Sequence, residues 1–244
     1  MSGAIDHPSP NHGDRRGMAP DLVLIHYTAM QTAQAALERL CDPAFEVSAH
    51  YLIGEDGRLW RLVDETRRAW HAGAGAWAGA TDVNSRSLGV ELANPGDAPF
   101  PLPQMRALET LLDAMAARWR IPPERVIGHA CMAPERKLDP GPRFDWRALA
   151  RGGRAIWLDP PTPARDGRGV AEPGATQAAA RRAGYPALDT GLWDAPTLAL
   201  AAAFRARFRP WEREAPAPLT LAGLAHLEAI SRRWPATTAT CLRV

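Results

Sequence analysis

Short apolar runs, each closed by polar or turn-forming residues, alternate along this chain with segments of helical periodicity. That alternation constrains the fold more than any other feature. Residues 21–27 (DLVLIHY) read as a buried strand ending in polar side chains, and residues 31–40 read as a helix. Residues 50–53 and 59–63 flank Gly54-Glu55-Asp56-Gly57-Arg58, whose Asp-Gly step predicts a hairpin turn. Residues 87–92 form another apolar strand, closed by Asn94-Pro95-Gly96. Between 103 and 119, Leu108, Leu111, Leu112, Met115 and Trp119 recur at helical spacing, and Pro103 suits a first helical turn. Ile121-Pro122-Pro123 stops that helix, and residues 126–128 form a short strand running into His129. The expected fold is α/β, a mixed central sheet flanked by helices, with a small C-terminal domain of three helices.

At 244 residues the chain has room for one medium and one small domain. A net charge of +2 carries no nucleic-acid signature, and no apolar run approaches the roughly 18 residues of a membrane span. Residues 1–20 are polar and rich in Pro, Gly, His and Asp, and are expected to form a flexible tail without an export signal. Cys41, Cys131 and Cys241 are scattered and odd in number, which fits a reducing compartment. The expected location is cytoplasmic, with the periplasm or cell envelope as the alternative. A catalytic unit over 21–157 is followed by a Pro-, Gly-, Asp- and Arg-rich linker over 158–173. Ala- and Leu-rich helical stretches follow over 174–238, near residues 176–183, 194–208 and 220–234.

The chain has a single lysine, Lys137, eight residues after His129 and two before Asp139. Every other strongly basic side chain is Arg, so an ammonium beside a His/Asp pair suggests a chemical role. A catalytic zinc takes three ligands from His, Asp, Glu or Cys and leaves one position open. His26, His50, His71, His129 and Asp139 are the candidates, and without HExxH spacing the site must be assembled from strand ends and loops. His129 and Asp139 flank a Pro/Gly-rich loop able to fold back on itself. Glu91, in Gly89-Val90-Glu91-Leu92, is either a strand-edge carboxylate in a surface ion pair or a partly buried base. Trp70 and Trp77 can stack on a sugar or peptide, or fill a core.

Several motifs together resemble the zinc-dependent N-acetylmuramoyl-L-alanine amidases of the type 2 amidase family. They are His26-Tyr27-Thr28, Ser48-Ala49-His50-Tyr51, Ala69-Trp70-His71-Ala72-Gly73, Leu88 to Asn94, and the loop from Gly128 to Pro142. The C-terminal segment, with Ala183-Gly184-Tyr185-Pro186 and residues 203–210 (AFRARFRP), resembles a peptidoglycan-binding helical module. The combination is most similar to the branch of the family that carries such a module.

The resemblance implies one zinc ion per chain, held by His26, His129 and Asp139. It implies Glu91 as general base and Lys137 beside the reacting carbonyl, with His50, Trp70, His71 and Asn94 lining or supporting the substrate cleft. The implied reaction cleaves the amide between the lactyl group of N-acetylmuramic acid and L-alanine, in peptidoglycan or in soluble muropeptides, including 1,6-anhydro forms. A non-catalytic peptidoglycan-recognition protein of the same fold is the alternative. One departure stands out: Cys131 occupies a position where the family commonly has Asp, and a thiolate there could compete for the metal.

Overall fold

Parallel strands form where both faces of a run are apolar, because helices then cover both sides. A computed structural model describes residues 3–161, 167–212 and 217–236. In chain order the strands are β1 (Ile5–Asp6), β2 (His12–Gly13), β3 (Leu22–Tyr27), β4 (Tyr51–Ile53), β5 (Leu59–Arg61), β6 (Arg68–Ala69), β7 (Ser87–Leu92) and β8 (Val126–Gly128). The helices are α1 (Ala33–Cys41), α2 (Val83–Arg86), α3 (Leu102–Trp119), α4 (His129–Met132), α5 (Trp146–Arg151), α6 (Pro173–Arg182), α7 (Ala195–Phe208) and α8 (Leu221–Arg233). The main sheet runs β1-β5-β4-β7-β3-β8, with β2 and β6 forming a separate pair. β3 lies parallel between β7 and β8, β4 runs parallel to β7, and the β4–β5 hairpin is antiparallel. This is the expected mixed sheet.

The two faces of β3 go to different partners. Val23 and Ile25 pack with Leu108, Leu111, Leu112 and Met115 of α3, the stripe read from the sequence. Leu22 and Leu24 point the other way, into a cluster that includes Leu200, Phe204, Phe208, Leu227 and Ile230 of the C-terminal helices. α1 covers a third region, where its Leu37 and Leu40 pack with Leu52 of β4 and Trp60 of β5. Thr32 caps α1 by accepting from the Ala35 amide. Among the described residues no helix is long and apolar enough to cross a membrane.

Two expectations need correction. Residues 3–20 are not a flexible tail. β1 pairs with β5 and β2 with β6, while Ser9 Oγ donates to the Leu40 carbonyl at 2.6 Å and Asn11 Nδ2 to the Asp42 and Val47 carbonyls. This segment is anchored by polar side chains meeting backbone carbonyls, which hydrophobic periodicity does not register. Nor is the stretch 158–173 a plain spacer. Residues 162–166 lie outside the described part, but Ala171 donates to Leu219 at 2.8 Å and Val170 bridges to Thr220. The C-terminal helices also share a core with the sheet. Arg207 donates to the Val126 carbonyl at 2.9 Å and stacks over Trp146, and Ala78 donates to the Gly184 carbonyl.

Candidate metal centre and active site

The site sits where three parallel strands end. His26 and Glu91 are register partners on β3 and β7, so their side chains emerge on the same face of the sheet. β8 ends at Gly128, and His129 follows as the first residue of α4. The loop then returns to place Asp139 beside it, with the Ala130 amide donating to the Asp139 carbonyl at 2.9 Å. Gly128 makes that closure possible: a Cβ there would lie 2.5 Å from Pro140 Cδ. Gly128→Ala should therefore push Pro140 and Asp139 away, costing about 1–3 kcal/mol as overpacking. Thermal unfolding and zinc titration check this; an unchanged melting temperature together with unchanged zinc affinity would refute it.

His26 Nδ1, His129 Nδ1 and Asp139 Oδ2 converge, with separations of 3.0, 2.9 and 3.1 Å, and all three residues are buried. His129 Nε2 donates to the Ala72 carbonyl at 2.8 Å, which leaves its Nδ1 lone pair facing the other two donors. Two imidazoles and a carboxylate, brought this close and shielded from water, suit a divalent cation with N/O preferences. Burial, followed by the nearby positive charge of His129, holds His26 down at about 4. It is therefore neutral and available as a ligand near neutral pH. Burial opposes ionisation of Asp139, but the contacts from His129 and His26 outweigh it and keep the carboxyl below its ordinary range.

Glu91 is the other distinctive group. Its Oε2 is buried and has no hydrogen-bond partner. Burial, reinforced by Asp139 and opposed by Lys137, raises its pKa to about 8. The surface ion-pair reading of Glu91 is thus not what the fold produces. Lys137, Trp70 and His71 line the same cleft, together with Arg39, Arg136 and Leu138. The cleft volume is ≈ 470 Å³, within the range of small-molecule sites.

Other expected site residues fall elsewhere. His50 is fully buried behind the cleft, its Nδ1 accepting from the Gly89 amide at 2.9 Å and its Nε2 lying 2.8 Å from Arg15. It supports the sheet and is not among the residues lining the cleft. Asn94 is also buried, and its side chain holds the loop through Ala98, Pro99 and Gly96. Trp77 packs in the core against Tyr185. Cys131 is turned away from the metal donors, 3.8 Å from the Tyr185 hydroxyl and 3.7 Å from Arg207. A thiolate ligand at 131 is therefore not formed.

Reasoning from sequence missed Arg15, Asn84, Ser87 and Arg136. Arg15 is buried and donates to the carbonyls of Glu65, Ser85 and Ser87. Asn84 Oδ1 accepts from the amides of His71 and Ala72. Only Arg136 carried a signal, as the neighbour of Lys137 in the site loop.

The burial of His50 gives a pH prediction. Burial first, then the charge of Arg15, lowers its ring from 6.5 to about 3. As pH falls through 6.5 the unfolded chain takes up a proton that the folded ring refuses, so stability drops between 6.5 and about 3. Thermal unfolding across that window should show a steeper loss for the wild type than for His50→Gln, which has no ring to protonate. Equal slopes would mean that His50 does not carry the effect.

The model of the N-acetylmuramoyl-L-alanine amidase family, Amidase_2, matches residues 16–142. The chain belongs to that family. N-acetylmuramoyl-L-alanine amidase AmiD of Escherichia coli (strain K12) is 42% identical over 154 residues, covering 57% of this chain and 55% of the relative. The match thus spans about half the length of that relative. The 1,6-anhydro-N-acetylmuramyl-L-alanine amidase AmpD of Haemophilus influenzae is 32% identical over 155 residues, covering 55% of this chain and 84% of the relative. Among solved structures, E. coli AmiD in complex with anhydro-N-acetylmuramic acid-L-Ala-D-gamma-Glu-L-Lys superposes with a TM-score of 0.81 at 32% identity, over 92% of this chain and 91% of that chain. AmpDh3 from Pseudomonas aeruginosa gives 0.76 at 30% identity, over 93% and 96%. At this coverage the amidase likeness extends into the C-terminal helices.

Proposed function

We propose that this protein is a zinc-dependent N-acetylmuramoyl-L-alanine amidase. It would hydrolyse the amide between the lactyl group of N-acetylmuramic acid, plain or 1,6-anhydro, and L-alanine. The observation that carries this reading is the pairing, in one cleft, of a convergent His26/His129/Asp139 donor set with the unpartnered carboxylate oxygen of Glu91. The names of the relatives and the ligand of the solved AmiD complex support the substrate class.

His26, His129 and Asp139 would hold one zinc ion. When bound, zinc supplies Lewis acidity towards water and the amide carbonyl, and its charge favours ionised Glu91. Glu91 then takes a proton from the attacking water and passes it to the amine of L-alanine as the C–N bond breaks. Lys137, the lone ammonium lining the cleft, would stabilise the oxyanion of the tetrahedral intermediate. Trp70, exposed in part at the cleft wall, offers an apolar face to sugar or peptide. Peptidoglycan and soluble muropeptides are the expected partners.

The test is product analysis by mass spectrometry, with anhydro-muropeptides and intact sacculi incubated side by side. Expected products are a peptide beginning with free L-alanine and a sugar bearing a free lactyl carboxylate. The purified protein should hold one zinc per chain, and a chelator should abolish cleavage until zinc is restored. Cleavage elsewhere in the stem peptide would overturn the bond assignment, and full activity in metal-free protein would overturn the zinc. Zinc binding without any cleavage would favour the recognition-protein alternative.

A further inference from the structure

We infer that His71 and Ser87 form a directed hydrogen-bond chain that fixes which ring nitrogen of His26 carries its proton, so that the other faces the metal as a lone pair. The inference rests on the metal-site reading above and adds positioning residues to it.

The direction follows from the donors and acceptors along the chain. Ser87 Oγ lies 2.6 Å from the Val83 carbonyl, which can only accept, so the single hydroxyl hydrogen is committed there. Towards any other neighbour Ser87 Oγ is an acceptor. His71 Nε2, at 3.2 Å, must then be the donor. A neutral ring protonated at Nε2 keeps a lone pair on Nδ1. His71 Nδ1 faces His26 Nε2 at 3.1 Å, so His26 must donate through Nε2. That leaves His26 Nδ1 unprotonated, 2.9 Å from Asp139 and 3.0 Å from His129. His129 reaches the same state separately through the Ala72 carbonyl. Both imidazoles thus present Nδ1 lone pairs, one set by a carbonyl and the other by a relay.

The surroundings hold the relay in place. Gly89 lies beneath the His71 ring, and a Cβ there would come within 2.5 Å of His71 Cγ. Asn84 fixes the His71 backbone at 3.0 Å, and Arg15 fixes the Ser87 carbonyl at 3.1 Å. Both ring nitrogens of His71 are taken up by His26 and Ser87, so the ring has no hydrogen bond to offer a substrate. This replaces the substrate-binding expectation for His71 with a positioning role. Outer partners of ligating histidines set tautomer and orientation, and losing one typically weakens metal binding by roughly 10–100-fold.

The test measures zinc affinity by chelator competition and the His71 tautomer by long-range ¹H–¹⁵N correlation on the zinc-loaded protein. His71→Phe should weaken zinc binding by roughly 10–100-fold. His71→Asn, whose side-chain carbonyl takes the place of the Nδ1 acceptor, should recover most of that loss. Ser87→Ala should fall between them. The spectrum should show the His71 proton on Nε2. A proton on Nδ1 would overturn the relay, as would equal affinity losses in the Phe and Asn variants at unchanged melting temperature. Should His71→Phe fail to fold, the wild-type spectrum still decides. Wild-type protein that binds no zinc overturns the metal reading and the relay with it. Zinc binding with the expected tautomer but no cleavage overturns only the amidase reading.

Discussion

Glu91→Gln is expected to lower the rate of amide hydrolysis by roughly 10²-fold or more while zinc content and substrate affinity stay near wild type. The two side chains are nearly isosteric, so cleft shape survives and only the proton acceptor is lost. The buried, unpartnered Oε2 explains why a large effect is expected, because no neighbouring group is hydrogen-bonded there to take over. The substitution also has a stability signature in metal-free protein. Burial raises the folded pKa of Glu91 to about 8 from an ordinary 4.5. Between those values the folded carboxyl keeps a proton that the unfolded chain has released, so this group makes the fold less stable as pH rises. Subtracting the unfolding curve of Glu91→Gln from that of the wild type should isolate a loss across that window. Turnover at the wild-type rate would place the base elsewhere.

A chain truncated after Asp159 is expected to lose its fold. The catalytic residues all lie before that point, and sequence reading alone makes truncation look harmless. The packing argues otherwise. Leu22, Leu24 and Ile127 are fully buried in a cluster completed by Leu200, Phe204 and Phe208. Trp77 lies against Tyr185, and a Cβ on Gly184 would come within 2.7 Å of the Trp77 ring. Each large apolar side chain returned to water costs about 1.5–3 kcal/mol, and a domain has only about 5–15 kcal/mol of stability in all. The truncated chain should therefore aggregate or melt more than about 10 °C lower and bind a hydrophobic dye. Circular dichroism and dye fluorescence decide it. A truncated chain that melts at the full-length temperature and cleaves small muropeptides would show that the C-terminal helices are dispensable to the fold.

The elements that carry the site were legible because their signals are local. β3 and β7 are dense apolar runs, α3 has an uninterrupted stripe, and His26, Glu91, His129 and Asp139 stand in motifs that name their own chemistry. What escaped depends on contacts between distant residues. Arg15 reads as one arginine in a polar leader, yet its guanidinium reaches carbonyls some 50 to 72 positions away in the chain. His50 looks like a cleft residue until its ring is found between Arg15 and the Gly89 amide. The Pro- and Gly-rich stretch after residue 158 suggested a boundary. Composition cannot show that the apolar faces on either side of such a stretch meet.

The ladder between β3 and β7 has a consequence for how this molecule can vary. His26 and Glu91 stand opposite each other, so their Cα atoms are held one interstrand spacing apart, about 4.8 Å. No loop rearrangement alters that length. A one-residue slip of β3 would put Ile25 or Tyr27 in the place of His26 and turn the imidazole to the far side of the sheet. Variation in the cleft wall is left to positions outside the ladder, such as the stretch 28–48 and Trp70. The Cα spacing that couples His26 to Glu91 is thus written in the sheet, and the cleft wall can vary without touching it.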